Sequence, residues 1–499
     1  MNLCLKKHLF FSLPFGVSNN LSCFSYFSTL SSDKISCVND ADVNVVFARI
    51  SGGSSEGEVV QSLLSDPACD SIRITDNFVD RLLYRFKNDC KCALGAFRWA
   101  QSRPDYKASP ELYDKMVDIL GKMKKMEKMR SLIEEMNADH LVSLNTVAKV
   151  MRRFVGAREW KEAVRTFDEL EKFGLEKNTE SMNLLLDALC KGNRVQQARE
   201  LFCKWHIPAN ANTFNIFIHG WCKVNRVEEA YWTIQEMKGN GCNPCVISYS
   251  TIIKSYCQQF NFQKVYDLLN EMQQEGCAPN VVTFTTIMCF LTKSGAFEEA
   301  LKIPERMKLV DGCKPDTLFY NALIHTLGMA HRLQEATRVL TVELPINGVQ
   351  PNTSTYNTII AMFCHHLKEE RALEFLRELE NSPFCKPDVQ SYFPLLKLCF
   401  KVGKTDEYLK MLVNDIVNKH HLSLDLSSYA LLIHGLCRAN KCEWAYVIFE
   451  DMVRQEITPR YKTCSVLLQE IKQKNMYDAA DKIALFMKKM KTARTFPGE

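Results

Sequence analysis

The 499-residue sequence predicts an all-α protein, a right-handed superhelical solenoid of about 11 to 12 helix-turn-helix repeats. Three observations predict it. The segment "PNVVTFTTIMCFLTKSGAFEEA" (279–300) returns in outline as "PDTLFYNALIHTL" and "PNTSTYNTIIAMFC". The residue after its aromatic recurs at Asn183, Asn215, Ser250, Thr285, Asn321, Asn357, Phe393, Ala430 and Ser465, in steps of 32, 35, 35, 36, 36, 36, 37 and 35. A second anchor, the small residue after an acidic or amide pair, keeps the same beat at Ala163, Ala198, Ala230, Ala300, Ala336, Ala372, Ala445 and Ala480.

Within one unit the apolar spacing is helical. Tyr249, Ile252, Ile253, Tyr256 and Cys257 share one helix face, and after a break at Asn261 a second face follows with Phe262, Val265, Leu269 and Met272. The Thr or Ser before the aromatic (Thr213, Ser248, Thr283, Thr355) is expected to cap the first helix, and the glycine of "GCNP" or "GCAP" to end the second. The second-anchor alanines let paired helices approach closely. One hairpin cannot bury its apolar face alone, whereas stacked hairpins bury a continuous core between neighbours.

Taken in order, residues 1–32 hold Lys6, Lys7 and seven serines with no acidic residue, the bias of an organelle transit peptide. A secretory signal is the rival reading of "HLFFSLPFGV", but Pro14 interrupts its apolar core. Residues 33–73, with the polar "SGGSSEGE", read as a linker, and 74–109 as a degenerate repeat acting as a cap. The repeats follow at 110–143, 144–178, 179–210, 211–245, 246–280, 281–316, 317–352, 353–388, 389–425, 426–460 and 461–495, leaving 496–499 as a tail.

The totals bound the function. A net charge of +5 does not by itself point to nucleic acid, so any electrostatic case rests on where the charges sit. The 21 cysteines are odd in number and recur at repeat-equivalent places, notably Cys190, Cys222, Cys257, Cys364 and Cys437, which favours reduced, buried thiols over a disulfide framework. No apolar run of about 18 residues predicts a membrane span. Cys242 and Cys245 form a C-x-x-C without a second pair at ligand spacing, and the pairs His365/His366 and His420/His421 lack partner carboxylates, so neither metal nor cofactor is expected.

Units reading V-x-T/S-Y/F-N-x-x-I, then G-x-x-E-A, then G-x-x-P-D/N resemble the pentatricopeptide repeat family in its plain, P-type form, over nearly all of residues 74–495. The resemblance implies binding of single-stranded organellar RNA along the concave face, one nucleotide per repeat. It also implies a role in mitochondrial or, alternatively, chloroplast RNA metabolism: transcript stabilisation, end processing, intron splicing or translation, with other RNA-processing proteins as further partners. No small-molecule substrate and no membrane is expected. Nor is catalysis, because the H-x-E of the deaminase domain carried by some relatives occurs nowhere in the chain. A protein-binding scaffold is the alternative from a different class.

In the family, the first-anchor residue and the last residue of the unit together bias base choice. Carried over, Asn183 with Asn210 implies a pyrimidine, favouring C, and Asn215 with Cys245 a pyrimidine at best. Ser250 with Asn280 implies A, Thr285 with Asp316 implies G, Asn321 with Asn352 implies C or U, and Asn357 with Asp388 implies U, giving Y-Y-A-G-Y-U from 5′ to 3′. The flanking pairs Asp114/Ser143, Ala148/Asn178, Phe393/Asp425 and Ala430/Arg460 depart from the pattern. Ile247, Val282 and Leu318 are expected to press on base faces, and Lys122, Lys191, Lys223, Lys293, Lys401 and Arg438 to form a phosphate stripe. The plainer reading of the Asn series is a ladder of amides bonding neighbouring helices, or simple capping; solvated surface lysines are the plainer reading of the stripe.

Overall fold

The computed structural model describes residues 40–50, 55–404 and 407–492, and every regular element among them is helical. The expected transit peptide and the tail 496–499 lie outside the described residues. The chain divides after Ala138 into two compact units.

The first unit corrects the linker reading. The described part of 33–73 folds into helices Asp40–Ile50, Glu56–Leu64 and Pro67–Asp70. Val43, Val46 and Ile50, then Val59 and Leu63, recur at helical spacing and are buried. Helix Glu56–Leu64 packs on helix Cys90–Gln101, where a Cβ on Gly95 would lie 2.7 Å from Val59, so glycine is what permits this approach. Helices Asp76–Arg85 and Cys90–Gln101 form a pair with Phe78 and Trp99 at its centre, and the hairpin Pro110–Lys122/Met126–Ala138 completes the unit.

The second unit is a stack of hairpins. Its first helices run Leu144–Gly156, Thr179–Lys191, Ala211–Lys223, Val246–Gln258, Val281–Ser294, Thr317–Met329, Thr353–His365, Val389–Val402, Leu426–Arg438 and Tyr461–Gln473. Each packs on the first helix of the next hairpin, so these helices form one continuous layer backed by the second helices. The second-anchor alanines are buried where each second helix meets that layer. Fully buried Tyr249, Ile252 and Ile253 show the apolar face, and each such aliphatic side chain contributes roughly 1.5–3 kcal/mol by leaving water.

The capping chemistry differs from expectation in one respect. The N-cap is the last residue of the preceding unit (Asn178, Asn210, Cys245, Asn280, Asp316, Asn352, Asp388, Asp425), and Thr213, Ser248, Thr283 and Thr355 stand three residues later, buried. At Asn178, Asn210, Asn352 and Asp388 the cap side chain accepts the third residue's backbone N–H, while that residue's hydroxyl accepts the cap's own N–H, a reciprocal capping box. Second helices end on left-handed glycines, among them Gly241, Gly276, Gly312 and Gly348, as expected. The turn inside each hairpin also needs a left-handed residue. Asn193, Asn225, Asn440 and Asn475 suit it, whereas Phe260, His331 and Leu367 adopt it at a cost of about 1 kcal/mol each. Pro304 and Pro345 lack an N–H and interrupt two second helices, which continue as Ile303–Lys308 and Leu344–Ile346.

Successive first helices touch near their C-terminal ends through side chains of matched size. A Cβ on Gly220 would meet Cys190 Sγ at 2.7 Å, one on Gly328 would meet Met362 at 2.6 Å, and one on Gly435 would meet the Phe400 ring at 2.5 Å. Thr292 and Thr326 instead share a buried hydroxyl–hydroxyl hydrogen bond of 2.7 Å. Burial pushes the thiols of Cys190, Cys257, Cys364 and Cys437 up to about 12, which suits a packing role. Gly435→Leu is expected to overpack this contact and cost about 1–3 kcal/mol in urea unfolding, and Phe400→Ala in the same chain to restore part of the loss.

Candidate nucleic-acid interface

In a 13-residue first helix, residues 2, 5, 9 and 13 fall within a stripe about 80° wide. That stripe carries the residues singled out in the sequence. At the second position Ile247, Val282 and Leu318 are 67%, 59% and 64% exposed, an unusual display of aliphatic surface at equivalent places. Asn212 and Ser354 occupy the same position in their units and are exposed.

At the fifth position Asn215, Ser250, Thr285 and Asn357 are half-buried. Asn183 and Asn321 depart from the expected open display, at 5% and 4% exposure. Asn183 hydrogen-bonds to the start of the next first helix. Its Nδ2 donates to Asn210 Oδ1 at 3.2 Å, and Thr213 Oγ1 donates to its Oδ1 at 2.8 Å. The same arrangement recurs at Asn357, whose Nδ2 donates to Asp388 Oδ1 at 3.0 Å and whose Oδ1 accepts from Ser391 Oγ at 2.6 Å. Asn215 accepts from Ser248 Oγ at 2.6 Å and directs its Nδ2 to Cys245 Sγ at 3.9 Å. The fifth residue of one unit and the cap of the next, paired in the sequence reading, are therefore side by side in these three cases, and the amide ladder between neighbouring helices exists as well.

Asn321 is the exception. Both of its amide atoms are buried without a hydrogen-bond partner among the described residues, and Thr355 Oγ1 contacts only its own cap, Asn352 Oδ1, at 3.1 Å, where Thr213 and Ser391 contact both cap and amide. Thr285 and Ser250 return their hydroxyls to the backbone of their own helix, to Val281 O at 2.7 Å and Ile247 O at 3.3 Å. The caps Asn210, Cys245, Asn280, Asn352 and Asp388 are exposed, and Asp316 is half-buried. Burial raises the Cys245 thiol, but hydrogen bonds from Ser248 and the backbone N–H groups of Ser248 and Ile247 outweigh it and hold the group below its usual value.

The basic residues Lys191, Lys223, Lys293, Lys401 and Arg438 occupy the thirteenth position and are exposed. Lys191 pairs with Asp187 at 2.8 Å, Lys223 donates to the Lys191 carbonyl, and Lys293 lies over the Phe290 ring at 4.7 Å. Lys122 belongs to the first unit, where its Nζ donates to Asn88 Oδ1 at 2.7 Å.

Sequence reasoning missed the histidines of the same stripe. His365 takes the thirteenth position, and His219, His325 and His434 take the ninth. Burial first, then neighbouring cations, depress three of them: His365 and Lys293 act on His325, His366 and Lys401 on His365, and Arg438 and Lys462 on His434. The repeat register alone would have revealed them. Contrary to the sequence reading, His420 has a partner carboxylate: its Nε2 meets Glu380 Oε1 at 3.0 Å, a contact that ties it to the preceding second helix.

Stacked hairpins that repeat the same polar, aliphatic and basic positions along their first helices define an α-helical repeat protein. The chain belongs to the pentatricopeptide repeat family. Profiles described as PPR repeat family match residues 244–293 and 279–329, the pentatricopeptide repeat domain matches 205–259, and PPR repeat matches 111–141, 180–206, 347–380 and 420–453. The chain is 57% identical over 450 residues to the Arabidopsis thaliana pentatricopeptide repeat-containing protein At3g04130, mitochondrial, covering 90% of this chain and 88% of that protein. It is 45% identical over 438 residues to At3g22670, mitochondrial, from the same plant, covering 86% and 76%. Among solved structures it is similar to the pentatricopeptide repeat protein PPR10 in complex with an 18-nt psaJ RNA element, with 16% identity, a TM-score of 0.49 and coverage of 90% of this chain and 74% of that one.

Proposed function

We propose that this protein binds single-stranded RNA sequence-selectively in mitochondria, one nucleotide per repeat, and acts by occupancy in transcript stabilisation, end processing, splicing or translation. The observation that carries the reading is the polar pair repeated across unit boundaries, flanked by exposed aliphatic side chains and followed along the helix by cations. Stacking on the aliphatic residues contributes less than the roughly 1–3 kcal/mol per base typical of aromatic platforms. The cations supply the salt-dependent attraction to phosphates. Its mitochondrial relatives support the location.

The free valences of each pair suggest its base. Asn357 keeps one amide N–H and Asp388 one carboxylate oxygen, a donor beside an acceptor. Uracil offers the complement, a carbonyl oxygen beside N3–H. Asn210 Oδ1 already accepts the Thr213 backbone N–H and the Asn183 amide, so its Nδ2 is what remains. Two amide donors suit the O2 and N3 acceptors of cytosine. At Thr285/Asp316 the cap oxygen not taken by the Phe319 N–H is free to accept from guanine, and at Ser250/Asn280 the cap Nδ2 is free to donate to adenine. The occupancy mechanism requires no chemistry from the chain itself.

Sequencing of RNA crosslinked to the protein in isolated mitochondria tests the proposal. A recurrent single-stranded site matching Y-Y-A-G-Y-U is the expected result. Recovery of proteins without RNA, through contacts indifferent to Asn321 and Asn357, would instead establish the scaffold reading.

A further inference from the structure

An asparagine amide reads a base only if its oxygen and nitrogen are told apart. The two ends are nearly the same shape, and a half-turn exchanges donor for acceptor. We propose that the hydroxyl at the third position of the following first helix is a positioning residue for base reading, fixing which amide atom of the fifth-position Asn faces the RNA. This rests on the RNA-reading function proposed above and adds to it a set of specificity-determining residues: Thr213, Ser248 and Ser391.

The assignment follows from counting protons. At Asn357, Asp388 Oδ1 accepts the Ser391 backbone N–H at 2.9 Å, so the atom facing it must be the amide nitrogen. Ser391 Oγ accepts the Asp388 N–H at 3.1 Å, leaving its single proton for the shorter contact, Asn357 Oδ1 at 2.6 Å. Reversing the amide would set nitrogen against a donor and oxygen against a carboxylate. The ring at Asn183 closes the same way: Thr213 Oγ1 accepts the Asn210 N–H at 3.2 Å and donates to Asn183 Oδ1 at 2.8 Å. At Asn215, Ser248 Oγ accepts the Cys245 N–H at 3.2 Å and donates to Asn215 Oδ1 at 2.6 Å.

Three other units sharpen the inference. Thr285 has no amide to orient, and the third residue of the next helix is Phe319. Ser250 has none either, and Thr283 Oγ1 turns to its own cap, Asn280 Oδ1, at 2.9 Å. Asn321 has an amide, yet no hydroxyl among the described residues reaches it: Thr355 Oγ1 lies 3.1 Å from its own cap Asn352 Oδ1, as Thr213 and Ser391 lie 3.1 and 3.0 Å from theirs, but makes no second contact to the amide. Thr355 therefore makes the same capping box as Thr213 without the amide lock, an internal control for capping alone.

The test measures binding of the full chain to RNAs that differ at one nucleotide. Ser391→Ala is expected to reduce the preference for U opposite Asn357 by about 5-fold, the scale of one lost hydrogen bond, with neighbouring preferences unchanged. Ser391→Thr should keep it. Thr213→Val should act likewise at the nucleotide read by Asn183, and serves if Ser391→Ala proves unfolded by circular dichroism. Thr355→Val should leave the preference opposite Asn321 unchanged. Full preference in both Ser391→Ala and Thr213→Val, or an equal loss in Thr355→Val, overturns the proposal. Asn357→Ala separates this from failure of base reading itself: if that variant also keeps the preference for U, the parent reading falls first.

Discussion

Replacing Asn357→Ser together with Asp388→Asn is expected to move the preferred nucleotide at one position of the bound RNA from U to A. The double substitution removes the carboxylate oxygen that would accept uracil N3–H and installs the combination present at Ser250 and Asn280. A well-formed pair of base contacts discriminates by roughly 1–3 kcal/mol, so about 10- to 100-fold between U and A, reversed in sign, is the expected scale. Competition binding with RNAs differing only at that nucleotide reads it directly. An unchanged preference would remove base reading from this unit. Stability should be little affected, because both new side chains can cap or hydrogen-bond locally as their counterparts do elsewhere in the stack.

Reversing charge at Lys191, Lys223 and Lys293 to Glu should weaken binding to every sequence alike, by on the order of 100-fold at low salt. Each lost phosphate contact lowers the salt slope for single strands by about 0.7, so the three together should flatten it by about 2. A loss confined to particular sequences would contradict the phosphate role. The Lys223 ammonium also donates to the Lys191 carbonyl at the end of helix Thr179–Lys191, and Lys191 pairs with Asp187, so a modest loss of stability accompanies the change. Thermal melts of the free variant separate that loss from lost affinity.

The period and the apolar spacing made the hairpin stack legible, because a repeated unit states its own length many times. What the sequence could not show was which half of each capping box a residue occupies. Thr213 and Asn210 are both good caps by composition, and only the backbone places Asn210 first and Thr213 three residues later. The linker reading of 33–73 went astray for a related reason. Val59 and Leu63 are too few to announce a helix amid polar residues, and Val59 fits only into a gap left by Gly95 more than thirty residues away. The fifth-position residues were visible as a polar series, but not the inward turn of Asn183 or the unpartnered amide of Asn321. Those depend on how the next unit packs against the helix, which no single repeat contains.

The fitted contacts between successive first helices bear on how such a chain can evolve or be rebuilt. Gly220 accepts Cys190, Gly328 accepts Met362, and Gly435 accepts Phe400, each a different shape. The side chains proposed to read bases lie apart from these contacts and can be exchanged one at a time, but whole repeats cannot be dealt in a new order without setting bulk against bulk at one seam and opening a void at the next. The proposed recognition is modular where the architecture is not, so a retargeted version should be made by point substitution on a preserved framework.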